Sequence, residues 1–379
     1  MHGLSMNPLS LNEFHQHLGA RFTELAGLEL VQDYGNPAAE YAALRTAAGV
    51  MDLSFRSRVC LIGSDRARYL HGQVTNDVKK LAAGEGVYAA LTTNKGKLES
   101  DLNIFCLADE LLLDFEPGLT AKVTARLEKF IVADDVQLVD AAPHYGLLTV
   151  QGPKAAQVIQ ALELLSGREL PAKPLASVKI SDLMLGEIYL ANHARLGAAG
   201  VAGFDLFVPN AALGAVADKL VAAAKSAGGG AVGWTAWETV RIEAGIPRYG
   251  ADMDESHLPL ECGIEERAIV YGKGCYIGQE VINRIHSIGH VNRELRGLRL
   301  ADQLPALPRH GDKLLQAGRE MGYVTSAVQS PACGKIALGY VRREVFQPGT
   351  KLQLQTATGE SPVTVVGLPF CADAMELPD

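Results

Sequence analysis

Between Pro37 and Gly49 the chain reads PAAEYAALRTAAG, with small and apolar positions at helical spacing between an opening proline and a closing glycine, which predicts a helix. The run 58–63 (RVCLIG) is continuously apolar after its arginine and predicts a strand, with Ser64 and Asp65 placed to cap a helix over ARYLHGQV. Further strands are predicted at 88–92, 102–107, 111–115 and 145–150, with a helix at about 120–132 and another after Gly152-Pro153. Beyond a proline-bearing connection at 171–174, strands recur at 185–190 and 204–208. The Ala-rich segment 211–227 puts Leu213, Val216, Leu220 and Ala224 on one helical face, and 237–244 reads as helix. Residues 268–271 look like a short strand and 279–285 like a helix. From 293 the texture changes to short apolar segments at 295–300, 313–316, 322–328, 336–341, 351–355 and 362–367, separated by Gly and Pro turns, which predicts a small all-β barrel or sandwich. Mixed elements followed by strands alone give an α+β class with a terminal β domain.

With 379 residues the chain exceeds one ordinary core, so two or three domains are expected. A net charge of -8 argues against nucleic acid as a general partner, because phosphate neutralisation needs a basic face. The local exception is Arg284, Arg293, Arg296 and Arg299 with His286 and His290, readable as a solvated surface or as a dock for an anionic group. The six cysteines, at 60, 106, 262, 275, 333 and 371, include no C-x-x-C pair, so neither a zinc knuckle nor a dithiol redox site is supported. No apolar run approaches a membrane span and no signal segment is evident, so no membrane partner and a reducing cytoplasm are the expectation.

The segment 271–280 reads YGKGCYIGQE. Its glycines give G-x-G-x-x-x-G, one residue off a dinucleotide fingerprint. Cys275 falls in a turn shortly before a predicted helix, where unpaired N–H groups and nearby Lys273 favour thiolate over thiol. A packed structural cysteine in a tight connection is the equal alternative. His15 and His17 have no partner at ligand spacing and read as surface residues; Cys60 and Cys106 read as buried thiols; His193 and Arg195 fall in a loop without a motif.

Several stretches together resemble the glycine-cleavage T-protein superfamily: RTAAGVMDLS (45–54), YLHGQVTNDV (69–78), GKLESDL (96–102), VQGP (150–153), RIEAGIPRYG (241–250), LPLEC (258–262) and, for its C-terminal β domain, GYVTSAVQSP (322–331). Within it, KGCYIGQE followed by Arg284, His286 and Gly289 resembles the YgfZ-type folate-binding branch. The resemblance implies a three-lobed T-protein-like fold, with mixed α/β folate-binding lobes over 1–290 and a small barrel over 291–379. It implies a central opening for tetrahydrofolate, with Asp101 at the reactive edge and Asn76, Arg241, Lys273 and Arg284 as further cofactor-binding candidates.

The sequence also departs from that family. Ala199-Gly200-Val201 replaces a Thr-Gly-Glu whose glutamate holds the pterin, Ala236-Trp237-Glu238 replaces an Ala-Arg-Asp, and Ser54-Phe55-Arg56 replaces a Ser-His-Met. The YgfZ-type motif therefore leads to the expectation of a folate-binding factor for iron-sulfur cluster assembly or repair. Cys275 would be a transient cluster ligand or redox nucleophile, with a scaffold or client protein supplying the other ligands. The alternatives are a tetrahydrofolate-dependent aminomethyltransferase, supported by Asp101, Asn76 and Arg241, and a folate-binding protein without catalysis.

Overall fold

The computed structural model describes residues 9–165, 167–197, 202–357 and 359–370. Three large β units, and the two-stranded antiparallel sheet Arg21–Leu25 with Leu28–Asp33, meet around the helix Trp234–Glu243. The first is a five-stranded antiparallel sheet ordered Gly86–Thr92, Leu98–Cys106, Leu111–Phe115, Ser57–Ile62, Gln137–Asp140. Successive side chains of a strand point to opposite faces, and here the two faces differ in kind. Leu102, Ile104, Leu111 and Leu113 are buried with Val123 and Leu127 of the helix Thr120–Glu128. The opposite face carries Asp101 and Asn103 on one strand, Asp114 beside Asn103 on the next, and Arg58 beside Asp114. That polar face turns inward.

The second unit is a six-stranded sheet ordered Ser177–Asp182, Gly186–Asn192, Gly203–Pro209, Tyr145–Gln151, Gly49–Asp52, Gly230–Ala231, antiparallel except for its last pair. The helices Ala155–Gln160 and Leu213–Ser226 cover one face, and Leu213, Val216, Leu220 and Ala224 are all buried there as the spacing predicted. Each such leucine contributes about 1.5–3 kcal/mol by leaving water. On the other face Met51, Leu147 and Phe207 pack against Ala236, Trp237 and Val240 of Trp234–Glu243.

The third unit is a closed six-stranded barrel from Arg293–Leu300 to Gly359–Val366, its first and last strands pairing to leave no free edge. It docks through Ile336, Leu338 and Tyr340 onto Ile242, Ile264 and Ile282, and the Phe370 N–H donates to the Glu243 carbonyl at 2.9 Å.

Two local expectations fail. Residues 268–271 are not a strand: the helix Glu265–Ala268 ends there, Ile269 is extended without pairing in a sheet, and a turn begins at Tyr271. The helix from Pro37 stops at Thr46, and Gly49 already begins the strand Gly49–Asp52. Among the described residues no helix is long and apolar enough to cross a membrane.

Candidate active site

The polar face of the five-stranded sheet, the helix Trp234–Glu243 and the loop after it enclose a centre rich in charge. Asp205 and Asp114, one from each sheet, flank Arg195, whose Nη2 lies 2.7 and 2.8 Å from their carboxylates. Asp114 also accepts from Arg56 Nε at 2.8 Å, and Arg56 donates in turn to Glu116. Arg248 lies 3.6 Å from Glu116 and 3.4 Å from Glu238. Arg241 binds Glu238 at 2.7 Å and Asp252 at 2.5 Å, and Asp252 accepts from Ser326 of the barrel at 2.7 Å. The chain of pairs therefore runs through both sheets, the helix and the barrel. Burial alone would push the Asp114 carboxyl up, but Arg195 and Arg56 hold it well below the usual carboxylate range.

Asp101 lies beside this chain and differs from its members. Its Oδ2 accepts from the Tyr88 hydroxyl at 2.9 Å, whereas its Oδ1 is buried with no hydrogen-bond partner. Burial, reinforced by the Glu116 charge, pushes its carboxyl up to about 6, against the opposing effect of the Tyr88 hydrogen bond. A buried acceptor left open is costly, so it marks a place where a donor from outside the chain fits. Tyr88 is held from behind: Arg267 sits 5.1 Å over its ring, and Asn76 Nδ2 donates to the Tyr88 and Arg267 carbonyls at 2.8 and 3.1 Å.

The structure distributes the other expected residues differently. Arg241 is 3% exposed and its guanidinium is spent on Asp252, Glu238, Ser326 and the Ile246 carbonyl. Lys273 does not serve Cys275: its ammonium is buried and donates to the His71, Val74 and Asn76 carbonyls at 2.6, 2.6 and 2.8 Å. Those carbonyls follow the end of the helix Arg66–His71, where a cation is favoured by the dipole. Burial lowers the Lys273 ammonium to about 8, opposed by Asp77. Cys275 is exposed, in the turn before the helix Gln279–Ile288. Gly278 explains part of this motif: its φ is 92°, and an added Cβ would meet the Thr93 carbonyl oxygen at 2.6 Å.

Arg284 is exposed on that helix, and His286 stacks on Tyr271 at 3.7 Å and bonds Glu265. The basic stretch does not form one patch, since Arg293 pairs with Glu261, Arg296 with Glu294, and Arg299 donates to the Cys333 carbonyl. Among the described residues no group of three or more His, Cys, Asp or Glu side chains could hold a metal ion. Ala199-Gly200-Val201 and Cys371 lie outside the described residues.

Sequence reasoning missed several residues. His15 is buried, bonding Asp52 at 3.0 Å and Tyr34 at 2.8 Å, and is not a surface residue. His193 and Arg195 both bind Asp205. Arg248 was given no role, although it lies within RIEAGIPRYG (241–250), which was a usable signal.

Comparison with known proteins accounts for nearly the whole chain. A family model for the GCVT N-terminal domain matches residues 11–270, and one for the glycine cleavage T-protein C-terminal barrel domain matches residues 293–371. An aminomethyltransferase of Saccharopolyspora erythraea is 32% identical over 95% of this chain and 96% of its own length. One of Rubrobacter xylanophilus is 31% identical over 95% and 93%. The crystal structure of glycine cleavage system aminomethyltransferase T from Bartonella henselae superposes with a TM-score of 0.85 at 25% identity, covering 97% of this chain and 98% of that one. These matches overturn the expectation of an iron-sulfur assembly or repair factor, which rested on KGCYIGQE followed by Arg284, His286 and Gly289, and leave the transferase alternative as the supported one. Spanning both family domains from residue 11 to residue 371, the chain belongs to the glycine-cleavage T-protein family.

Proposed function

We propose that this protein is a tetrahydrofolate-dependent aminomethyltransferase, with Asp101 as its proton-handling group. The carrying observation is Asp101 itself: a buried carboxyl with one oxygen fixed by Tyr88, one oxygen unpartnered, and a proton affinity raised to about 6. Tetrahydrofolate, when bound, supplies the amine nitrogens that take up a one-carbon unit. Asp101 suits that partner, since its open Oδ1 accepts from an N–H when ionised and returns a proton when protonated, and a group titrating near 6 does both close to neutral pH. Tyr88 sets which oxygen stays free, and Asn76 and the Arg267 guanidinium hold Tyr88 in place. Arg241, with its donors spent inside the chain, ties helix to barrel. The division into a transferase-like region over 1–290 and a barrel over 291–379 belongs to the same reading.

The test is turnover with a lipoyl-bound aminomethyl donor and tetrahydrofolate. The expected products are ammonia, methylenetetrahydrofolate and the freed dihydrolipoyl thiol in equal amounts. Tight tetrahydrofolate binding without ammonia release would make the chain a non-catalytic folate binder and remove the transferase reading.

A further inference from the structure

Arg248 is the one guanidinium in the central chain of ion pairs that donates no hydrogen bond among the described residues. A guanidinium carries five N–H donors, and burying them unspent is costly. Its side chain is 16% exposed, its Nε is buried without a hydrogen-bond partner, and its nearest carboxylates stand at 3.4 and 3.6 Å. Both carboxylates are already engaged, Glu116 by Arg56 and Glu238 by two donors of Arg241. Their charge is thereby offset, so they orient Arg248 without saturating it.

The surroundings hold this group in one pose. Its guanidinium carbon lies 5.0 Å over the Trp234 ring, which is itself braced edge-on by Phe55 at 5.9 Å. A guanidinium held over an indole face by its charge spends no N–H donor on that contact. The Arg248 backbone N–H donates to Asp252 at 3.1 Å, which fixes the root of the side chain. In front of it a cavity of about 460 Å³ opens between the helix Trp234–Glu243 and the barrel, lined by Glu238, Arg248, His310, Thr325 and Ser326 among others. Asp101, the open acceptor, belongs to the same centre, with Glu116 acting on both groups.

We propose that Arg248, backed by Trp234, receives the carboxylate of the ligand whose N–H group meets Asp101, through two parallel hydrogen bonds. The proposal rests on the transferase reading for the identity of that ligand. A carboxylate could come from the glutamate part of tetrahydrofolate or from a free amino acid.

The experiment is calorimetric titration of the full chain, as wild type, Arg248→Gln and Arg248→Lys, with three probes: tetrahydrofolate, tetrahydropteroate, which lacks the glutamate, and glycine. Circular dichroism establishes that each variant is folded, and Arg248→Lys keeps the charge should Arg248→Gln fail to fold. Losing a charge-assisted pair should weaken tetrahydrofolate binding to Arg248→Gln by roughly 10- to 100-fold, with partial recovery in Arg248→Lys and no change for tetrahydropteroate. A loss confined to glycine would keep the carboxylate subsite and assign it to an amino acid. Equal weakening for tetrahydropteroate, or no weakening of any probe that the wild type binds, would overturn the proposal. A wild type that binds none of the three would overturn it together with the transferase reading, and one that binds normally without turnover would remove that reading alone.

Discussion

Asp101 makes stability and chemistry pull in opposite directions. An unfolded carboxyl titrates near 3.8, whereas the folded one titrates at about 6, so the folded state holds its proton over a window in which the unfolded state has lost it. Stability is therefore full below 3.8, falls as pH rises to about 6, and stays at the lower level above that. Asp101→Asn removes the buried charge and should stabilise the chain by on the order of 1–3 kcal/mol at pH 8 while lowering turnover by roughly 100-fold or more. Denaturant unfolding of the two proteins at pH 5 and pH 8 checks the sign, since the gain should shrink at the lower pH. Tyr88→Phe acts the other way on the same group. The hydrogen bond it removes favours the ionised form, so the acid limb of the kcat/KM profile should move upward from about 6. A limb that stayed in place would mean that Asp101 is not the group being titrated.

At the scale of elements, the loop containing Lys273 and Cys275 separates a structural role from a chemical one. Lys273 reaches back about two hundred residues in sequence to cap three carbonyls, while Cys275, two positions on, is exposed. Lys273→Met should cost about 2–4 kcal/mol in unfolding free energy, as three charge-assisted bonds to carbonyls are lost. Cys275→Ser should leave both stability and transfer activity within about twofold of wild type. Thermal unfolding and the ammonia assay read both, and a transfer activity abolished in Cys275→Ser would put the thiol back into the chemistry. This loop also marks what was legible in the sequence. Apolar spacing over 279–285 gave the start of the helix Gln279–Ile288, and short apolar segments between Gly and Pro turns gave the six barrel strands, because both are written in the local sequence. The strand expected at 268–271 failed because four apolar residues carry no period of their own, and the first of them, Ala268, closes the helix Glu265–Ala268. The position of Lys273 was hidden for another reason: its partners are backbone carbonyls of a distant helix end, which no side-chain pattern announces.

At the scale of the molecule, the same argument governs the ion pairs that join the lobes. Asp101 could be singled out from a motif, but Arg56–Asp114 spans 58 residues and Arg195–Asp114 spans 81, and neither belongs to a local pattern. Arg195 is the keystone between the sheets, with its side chain 6% exposed and both of its carboxylates fully buried. Removing it leaves Asp114 with Arg56 and Asp205 with His193, two buried acids with less compensation than their desolvation demands. Arg195→Gln should therefore cost about 3–5 kcal/mol. Exposed pairs should not behave this way: Lys179→Ala, which breaks a surface contact with Glu187, should leave the unfolding transition where it is in the wild type. The pH dependence follows from the sign of the shift. Asp114 is held below the usual carboxylate range, against burial, by Arg195 and Arg56, so the stability it carries is present above the unfolded pKa and is lost only as pH falls towards its lower folded value. Arg195→Gln raises that folded value, so acid unfolding of the variant should set in at a higher pH than in the wild type. Urea unfolding at pH 8 and an acid titration followed by circular dichroism measure both effects. A cost below about 1 kcal/mol with an unmoved acid transition would mean that the apolar cluster around Phe105, Phe207 and Trp237 holds the two sheets together by itself.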